Sequence, residues 1–330
     1  MPKTRRDFLR SGAGLTMGMM GMAVAAHSTE RPIGEPPQTA PAGQEAATPA
    51  GAAPDAGPNV QVPKMKFGGA DIGRLVLGCN PINGTSHFNA TYNGLMREWF
   101  TAERACATMQ RAVSYGINAF QYSNNGHCVQ YWKQFQADGG RMVLIAGDQG
   151  GDDPVATVKN LKPHAFHRQG EVVDVAFKTG KMGDVREWCK RVRDTGTMVG
   201  VATHKPEVIA LIEEQDWDID YFCGCVYNRT RTEDEWRKVL NGELMETPRE
   251  IYVQSDPPRM YKVMRQTRKP CFAFKILAAG RVAPDQVEQA FRTAFSSIKP
   301  IDGVWVGMFP KDSDQIRQNA EIVHRILTAA

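Results

Sequence analysis

The chain has 330 residues, of which 42% are hydrophobic and 23% are charged, with 40 Lys and Arg against 36 Asp and Glu. A chain of this length and composition can bury a sizeable hydrophobic core, which excludes a wholly disordered protein. These averages conceal one difference, because the first part of the chain is much poorer in large apolar residues than the rest. The chain therefore consists of segments of different kinds.

The first segment, residues 1–25, resembles a twin-arginine export signal. Arg5 and Arg6 precede an uncharged, weakly apolar stretch at 11–25 that ends in the small-residue pattern A-V-A. The stretch is shorter than the ~20 residues needed to span a bilayer, and its end has the pattern that signal peptidases recognise. We expect cleavage after about Ala25, a periplasmic or otherwise exported protein, the twin-arginine translocase as its partner during export, and no stable membrane insertion.

The second segment, residues 26–63, has the composition of a disordered linker. It contains eight prolines and nine alanines, and its only larger aliphatic residues are Ile33, Val60 and Val62. So little apolar surface cannot offset the entropy lost when the segment becomes ordered. We expect a spacer, or alternatively a tether that holds the following domain away from a membrane or a complex.

The charge balance excludes two classes of partner. Removal of residues 1–25 takes away four basic residues and one acidic residue, so the formal net charge falls from +4 to about +1. No basic run or aromatic-spaced basic stripe remains. We therefore expect neither nucleic acid nor an anionic membrane as a partner.

Residues 64–330 alternate between apolar runs suited to buried parallel strands and segments with helical spacing. The predicted strands are 74–78, 119–122, 142–146, 172–177, 198–202, 221–226, 271–277 and 303–307, and the clearest helical segments are 102–115, 185–193, 206–214, 285–295 and 313–327. Eight strand–helix units in ~250 residues predict an α/β fold, the (β/α)8 or TIM barrel, with its active site at the carboxyl ends of the strands. An open doubly wound sheet is the alternative, but no glycine-rich dinucleotide motif follows the first strand.

Five motifs occur in the order in which they occur in a known family. They are KMKFGGADIGRLVLGCNPING (64–84), GINAFQYSNN (116–125), GTMVGVATHKPEVIALI (196–212), FKILAAGRV (274–282) and GVWVGMFPKDSDQIRQNAEIV (303–323). They resemble the opening hairpin and first strand, the second strand, the G-V-S-N-H segment, the seventh strand and the closing strand and helix of the aldo/keto reductase superfamily. This resemblance covers nearly all of 64–330 and implies a TIM barrel capped by a short N-terminal β-hairpin.

The residues that carry out the chemistry of that family are not retained. In the family a Tyr, assisted by a Lys that an Asp holds, donates a proton to a carbonyl, a His orients the substrate, and NADPH supplies hydride. The Asp, Tyr, Lys and His positions are occupied here by Gln121, by Gly126 with His127 beside it, by Asp148, and by Thr179 with Lys178 before it. The resemblance therefore predicts the fold without settling the activity, and hydride transfer stays open.

The resemblance also implies NADP as a cofactor. The family's nicotinamide-binding Ser-Asn pair corresponds to Ala202 and Thr203, and the start of the last helix offers further cofactor contacts from Ser313, Gln315, Arg317 and Asn319. Helix capping and ordinary surface polarity are the alternative roles for these last four residues. Because we expect export, a nicotinamide would have to be tightly bound and carried out with the folded protein.

The predicted strand ends form a polar ring that suits a sugar-like carbonyl compound or polyol as the small-molecule substrate. The candidate catalytic residues are Gln121, His127, Asp148, Lys178, His204, Tyr227 and Lys275. We expect His127 or His204 as a base, and Lys178 or Lys275 to stabilise a developing oxyanion. A divalent metal held by histidines, Asp148 and the Cys223/Cys225 pair is a further alternative, but no residue is assigned as a metal ligand. We expect His164 and His167 in a solvated loop before the fourth strand.

Three functions remain open at this stage. The first is an exported aldo/keto reductase-like enzyme that acts on a sugar-like carbonyl compound or polyol. The second is a non-redox isomerase, lyase or hydrolase that uses histidines with or without a metal. The third is a non-catalytic binding or assembly subunit.

Overall fold

The computed structural model describes residues 59–123, 126–148, 150–151, 153–241 and 250–329. The predicted signal peptide and most of the predicted linker lie outside the described residues. Val62, near the end of that linker, is buried, and its N–H donates a hydrogen bond to the carbonyl of Tyr115. The packed part of the chain therefore begins before residue 64.

Strands and helices alternate through the described chain. The strands are β1 (Lys64–Phe67), β2 (Ala70–Gly73), β3 (Leu75–Gly78), β4 (Ala119–Ser123), β5 (Val143–Gly147), β6 (Ala165–Arg168), β7 (Met198–Thr203), β8 (Tyr221–Cys225), β9 (Cys271–Phe274) and β10 (Gly303–Gly307). The helices are α1 (Ala90–Trp99), α2 (Ala102–Ser114), α3 (Gly126–Ala137), α4 (Pro154–Leu161), α5 (Gly170–Lys178), α6 (Met182–Arg193), α7 (Pro206–Glu214), α8 (Glu233–Leu240), α9 (Asp256–Gln266), α10 (Val287–Ser297) and α11 (Gln315–Thr328).

Strands β3 to β10 form a closed parallel barrel in chain order, and β10 pairs with β3 to close it. Helices follow the strands, so apolar side chains on the outer face of the sheet pack against helices, while a second set fills the interior. The interior set is rich in aromatic residues, with Tyr221, Phe272 and Trp305 among its members. The predicted TIM-barrel fold is confirmed.

The antiparallel hairpin β1–β2 plugs the end of the barrel where the strands begin. Phe67 lies edge-on to the rings of Tyr221 and Phe272, with ring centroids 5.1 Å away in each case. His164, just before β6, has its ring Nε2 2.9 Å from the carbonyl oxygen of Phe67. The short N-terminal hairpin cap expected from the sequence is confirmed.

One predicted strand is wrong. Residues 172–177 belong to helix α5, and the fourth barrel strand is β6, Ala165–Arg168. The valine-rich run has the composition of a strand, but Gln169 caps the helix by accepting a hydrogen bond from the N–H of Val172, and Val173 and Ala176 bury one helical face. The real strand contains His and Arg and so lacks the apolar pattern that identifies buried strands.

This shift corrects the prediction for His167, which lies inside the barrel and not in a solvated loop. It is 4% exposed, its Nδ1 is 3.2 Å from the hydroxyl of Tyr221, and its ring lies 5.6 Å from that of Trp305. Burial lowers the pKa of His167 to about 3. The imidazole is therefore a neutral part of the barrel core at neutral pH.

No helix in the described ranges is both long and apolar enough to span a membrane.

We expect Phe67→Ala to destabilise the fold by about 3–5 kcal/mol, because it removes a buried ring that no neighbour can replace. Phe88→Ala is the matched control, since Phe88 is 49% exposed, and we expect it to lower stability by less than about 1 kcal/mol. Urea unfolding followed by circular dichroism measures both changes. Equal effects of the two substitutions would show that the hairpin does not contribute to the core.

We also expect stability to fall as the pH decreases from 6.5 towards 3, with a slope of up to about 1.4 kcal/mol per pH unit from His167. In this window the unfolded state binds a proton at His167 that the folded state excludes, so acid favours unfolding. His167→Gln removes this proton uptake and should make the pH dependence shallower. Urea unfolding of both proteins at several pH values between 4 and 7 tests this, and parallel curves would contradict it.

Candidate active site

A cavity of about 720 Å³ opens at the carboxyl ends of β3, β9 and β10. Its lining includes Gly78 and Phe274, which end β3 and β9, and Gln121 and Trp305, which lie within β4 and β10. The rest of the lining comes mainly from the segments that follow β3, β9 and β10. This volume is in the range of small-molecule sites, and the carboxyl end of the barrel is where TIM-barrel enzymes hold their substrates.

Lys275 is the first residue after β9 and lines this cavity. Its φ of 61° is in the left-handed region, which is uncommon for a residue with a side chain, and the N–H of Ala278 closes the turn on its carbonyl at 2.8 Å. Burial and the neighbouring charge of Arg229 lower the pKa of Lys275 to about 7. A large fraction of Lys275 is therefore an uncharged amine at neutral pH, which can act as a nucleophile or as a base.

Within the described residues, the Lys275 side chain makes no hydrogen bond or ion pair. A lysine ammonium ordinarily has three donors to satisfy. The geometry therefore leaves the nitrogen available to a molecule in the cavity.

A second polar group on the cavity wall is His87, which also has a left-handed φ, of 57°. Its Nδ1 lies 2.9 Å from Oε1 of Glu250, and its Nε2 lies 3.0 Å from Nδ2 of Asn80. The Glu250 carboxylate can only accept, so Nδ1 carries the hydrogen, and Nε2 presents a lone pair that the Asn80 amide donates to. Burial lowers the pKa of His87, and the positive charges of Lys275 and Arg229 add to this effect against the opposing influence of Glu250.

Glu250 connects His87 to Arg229. The guanidinium of Arg229 donates to both oxygens of Glu250, and the hydroxyl of Tyr252 donates to Oε2 at 2.9 Å. Burial alone would raise the pKa of Glu250, but the hydrogen bond from His87 and the charge of Arg229 lower it to about 2. The carboxylate is therefore ionised at neutral pH and fixes the orientation of both partners.

A separate buried pair, Asp174 and His204, supports Arg229 from the other side. Nδ1 of His204 is 2.8 Å from Oδ2 of Asp174, and Nε2 of His204 is 3.4 Å from Nη1 of Arg229. His204 is 4% exposed and does not line this cavity, and its ring contacts Arg229. Thr203, predicted to contact a cofactor, is also fully buried, and its hydroxyl donates to Asp174.

The structure separates the other predicted residues. Gln121 lines the cavity, whereas Asp148, at the end of β5, pairs with Arg168 on β6 and does not line it. His127 is exposed in the first turn of α3 and stacks on Tyr131, and Tyr227 packs against Tyr252.

Because the fourth barrel strand is Ala165–Arg168, Lys178 and Thr179 lie elsewhere in the fold than the sequence predicts. They do not follow a barrel strand, because they lie at the carboxyl end of α5, where the Lys178 ammonium donates to the carbonyl of Thr230. The residue that ends the fourth strand is Arg168. The alignment that put Thr179 at the family's His position is therefore wrong.

Three of the four predicted cofactor residues on the last strand–helix unit line the cavity, namely Ser313, Gln315 and Asn319. Arg317 does not, since its guanidinium faces Asp314 and Glu321 at 3.7 Å. Across the described residues no group of three potential metal ligands occurs, so the predicted metal set does not assemble there.

His87, Arg229 and Glu250 were not among the residues predicted from the sequence. Arg229 follows β8 by only a few residues, so it could have been found by extending the predicted strand end. His87 and Glu250 lie in segments without a periodic pattern, and no local signal points to either.

Comparisons with known proteins support the fold. No family model matches the chain, and no curated protein matches it. Among solved structures, a truncated 3-deoxy-D-arabino-heptulosonate 7-phosphate synthase from Thermotoga maritima matches with 13% identity and a TM-score of 0.50, over 82% of this chain and 92% of that chain. A structure titled native KDPGal matches with 12% identity and a TM-score of 0.39, over 69% of this chain and 89% of that one. The first of these likenesses shows a shared barrel fold, and membership of the aldo/keto reductase superfamily stays a prediction.

Proposed function

We propose that this protein is a non-redox enzyme, a lyase or isomerase, that acts on a small polyhydroxylated carbonyl compound through an imine with Lys275. The observation that carries the proposal is a lysine with a pKa of about 7, on the wall of a ligand-sized cavity, whose side chain has no hydrogen-bond or ion-pair partner among the described residues. Imine formation needs an uncharged amine and a nearby group that can transfer protons.

The proposed chemistry begins when the Lys275 amine adds to the substrate carbonyl carbon. The carbonyl oxygen takes up protons and leaves as water, which gives a positively charged iminium. In an isomerase a base removes the proton of an adjacent C–H bond, and in a lyase the next C–C bond breaks as a carbonyl fragment leaves; in both cases the electron pair moves to the iminium nitrogen and gives an enamine. Protonation of an enamine carbon restores the iminium, and addition of water to it releases the product and Lys275.

His87 is the proposed proton carrier for these steps. Its neutral ring has a lone pair on Nε2, and a substrate hydroxyl can replace Asn80 as the group that donates to it. Glu250 holds the tautomer in place and stabilises the ring when it accepts a proton. Arg229 keeps Glu250 ionised and raises the uncharged fraction of Lys275.

The cavity walls support a sugar-like substrate. Asn80, Thr85 and Ser86 offer hydrogen-bonding groups on one wall, and the rings of Tyr92 and Phe309 lie on another. Hydroxyl groups each need a donor or acceptor, while the C–H face of a sugar packs on aromatic rings.

A second candidate function is hydride transfer with NADP. It is favoured by the extension of the same cavity to Ser313, Gln315 and Asn319, where the resemblance implies cofactor contacts. A tightly bound nicotinamide in the purified protein would favour this candidate.

We also propose, from the sequence alone, where the protein is located in the cell. The Arg5–Arg6 pair, the apolar stretch and the small-residue site support export to the periplasm by the twin-arginine translocase, with cleavage after about Ala25. Export of a folded protein is compatible with either candidate activity.

Trapping with a reductant tests the imine. We expect glycolaldehyde or dihydroxyacetone with cyanoborohydride to label Lys275 at pH 7 at least about tenfold faster than Lys66, because a surface lysine is almost fully protonated at that pH. The labelling rate at Lys275 should reach half of its maximum near pH 7 and then level off. Peptide mass spectrometry measures both sites in the same sample.

Lys275→Arg should abolish the fast labelling and leave that of Lys66 unchanged. Lys269→Arg is a matched control. The Lys269 ammonium lies 2.8 Å from Oε1 of Glu213, and Lys269 does not line the cavity. Uniform labelling of Lys275 and Lys66, or a rate at Lys275 that keeps rising above pH 9, would contradict the proposal.

A further inference from the structure

Arg281 joins three of the segments that surround the mouth of the barrel. It lies in the segment after β9, whereas His87 and Phe88 follow β3, and Tyr252 lies in the connection from β8 to β9. Nη1 of Arg281 donates hydrogen bonds to the carbonyls of His87 at 3.0 Å and of Ala278 at 3.3 Å. The guanidinium carbon lies 5.1 Å from the centre of the Phe88 ring and 4.4 Å from that of the Tyr252 ring. One exposed side chain therefore contacts all three segments.

Both carbonyls belong to residues with a left-handed backbone. The φ angle is 57° at His87 and 47° at Ala278, and Ala279 is also left-handed, at 52°. This region is unfavourable for residues with a side chain, which keep such a conformation only where their surroundings hold it. Arg281 supplies part of that hold, because one of its nitrogens donates to both His87 and Ala278.

The contacts of Arg281 also close a circuit of four residues, which are His87, Glu250, Tyr252 and Arg281. Nδ1 of His87 lies 2.9 Å from one carboxylate oxygen of Glu250, and the Tyr252 hydroxyl donates to the other at 2.9 Å. The Tyr252 ring contacts the guanidinium of Arg281, which returns to the backbone of His87 through the carbonyl. The ring and the backbone of His87 are therefore both held by members of this four-residue circuit.

The shape of the Arg281 side chain matters as well as its charge. Its hydrogen bonds with described residues go to carbonyl oxygens and not to a carboxylate. A flat guanidinium can contact two aromatic rings while its edge donates hydrogen bonds, whereas a lysine ammonium carries the same charge but has no flat face. A lysine at this position could therefore keep the charge but not the whole set of contacts.

We propose that Arg281 is a positioning residue whose flat guanidinium holds the His87 ring at the wall of the cavity. The inference rests on the proposed function, in which this ring carries protons for the chemistry of Lys275. Without Arg281, the left-handed segment at His87 would relax, and the ring would leave both the cavity and Glu250. Lys275 would keep its uncharged amine, because burial and the charge of Arg229 favour that form.

Nuclear magnetic resonance of protein with isotope-labelled histidine tests the position of the ring without any substrate. The His87 signals are those that His87→Gln lacks. In the unmodified protein we expect the Nδ1–H tautomer and a midpoint of titration below the ordinary value of about 6.5. In Arg281→Ala and in Arg281→Lys, the midpoint should rise towards that value, because burial is the main cause that lowers it, and the Nε2–H tautomer should appear.

The variants separate position from charge and from stability. Glu250, Lys275 and Arg229, the charged groups that act on His87, are present in each of them. Arg281→Lys keeps the positive charge, so a shift shared by both variants does not come from lost charge. Arg292→Ala is the matched control, since Arg292 pairs with Glu288 on α10, and it should leave the His87 signals unchanged.

Reductive labelling of Lys275 with dihydroxyacetone and cyanoborohydride measures the consequence for the chemistry. In both Arg281 variants we expect the maximal labelling rate to fall at least about tenfold, because the dehydration step loses its proton carrier. The pH of half-maximal rate should stay near 7, because Arg281 is not among the groups that set the pKa of Lys275.

Two results would overturn the proposal. One is His87 signals that match those of the unmodified protein in both variants, which would show that Arg281 contributes at most to stability. The other is restoration of the His87 signals in Arg281→Lys, which would show that charge alone suffices. If the signals move as expected but the labelling of Lys275 does not change, or if the unmodified protein is not labelled, Arg281 positions His87 and the proposed function is what fails.

Discussion

The hydrogen bonds between β10 and β3 close the parallel sheet, and the rest of the structure depends on that closure. A closed parallel barrel has all of its strand carboxyl ends at one mouth, so residues far apart in the chain meet there. Closure also requires a filled interior. Tyr221, Phe272 and Trp305 fill it together with Phe67 from the hairpin, and Gly200 must lack a side chain because a Cβ there would lie 2.3 Å from the ring of Tyr221.

The electrostatics of the mouth centre on Arg229. Its charge lowers the pKa of Lys275, while its hydrogen bonds to Glu250 hold the carboxylate that orients His87. The buried Asp174–His204 pair approaches Arg229 from the opposite side. A buried guanidinium needs such compensation, since a charge removed from water is unfavourable unless it is paired. The same groups therefore compensate the buried charge of Arg229, and that charge in turn favours the uncharged form of Lys275.

The candidate site could be predicted from the sequence only in part. Lys275 and Gln121 were identified because they lie at predicted strand ends, and Ser313, Gln315 and Asn319 because of the family resemblance at the start of the last helix. The structure puts all five on the cavity. His204 and Asp148 were placed correctly after their strands, yet His204 is hydrogen-bonded to the buried Asp174 and Asp148 pairs with Arg168. His87 and Glu250 could not be found, because they lie in irregular segments whose position depends on contacts with distant parts of the chain.

The sequence by itself determined the barrel architecture, since apolar runs and helical segments of the right number and length have few ways to bury their apolar faces together. The hairpin cap was expected because residues 64–84 resemble the opening of the aldo/keto reductases. The tertiary structure alone decided that 172–177 is a helix and that 165–168 is the fourth strand, because local composition favoured the opposite assignment and packing in the barrel overrode it. It alone decided which polar residues share the cavity, because a pKa or a hydrogen bond depends on neighbours that the linear order of residues does not specify.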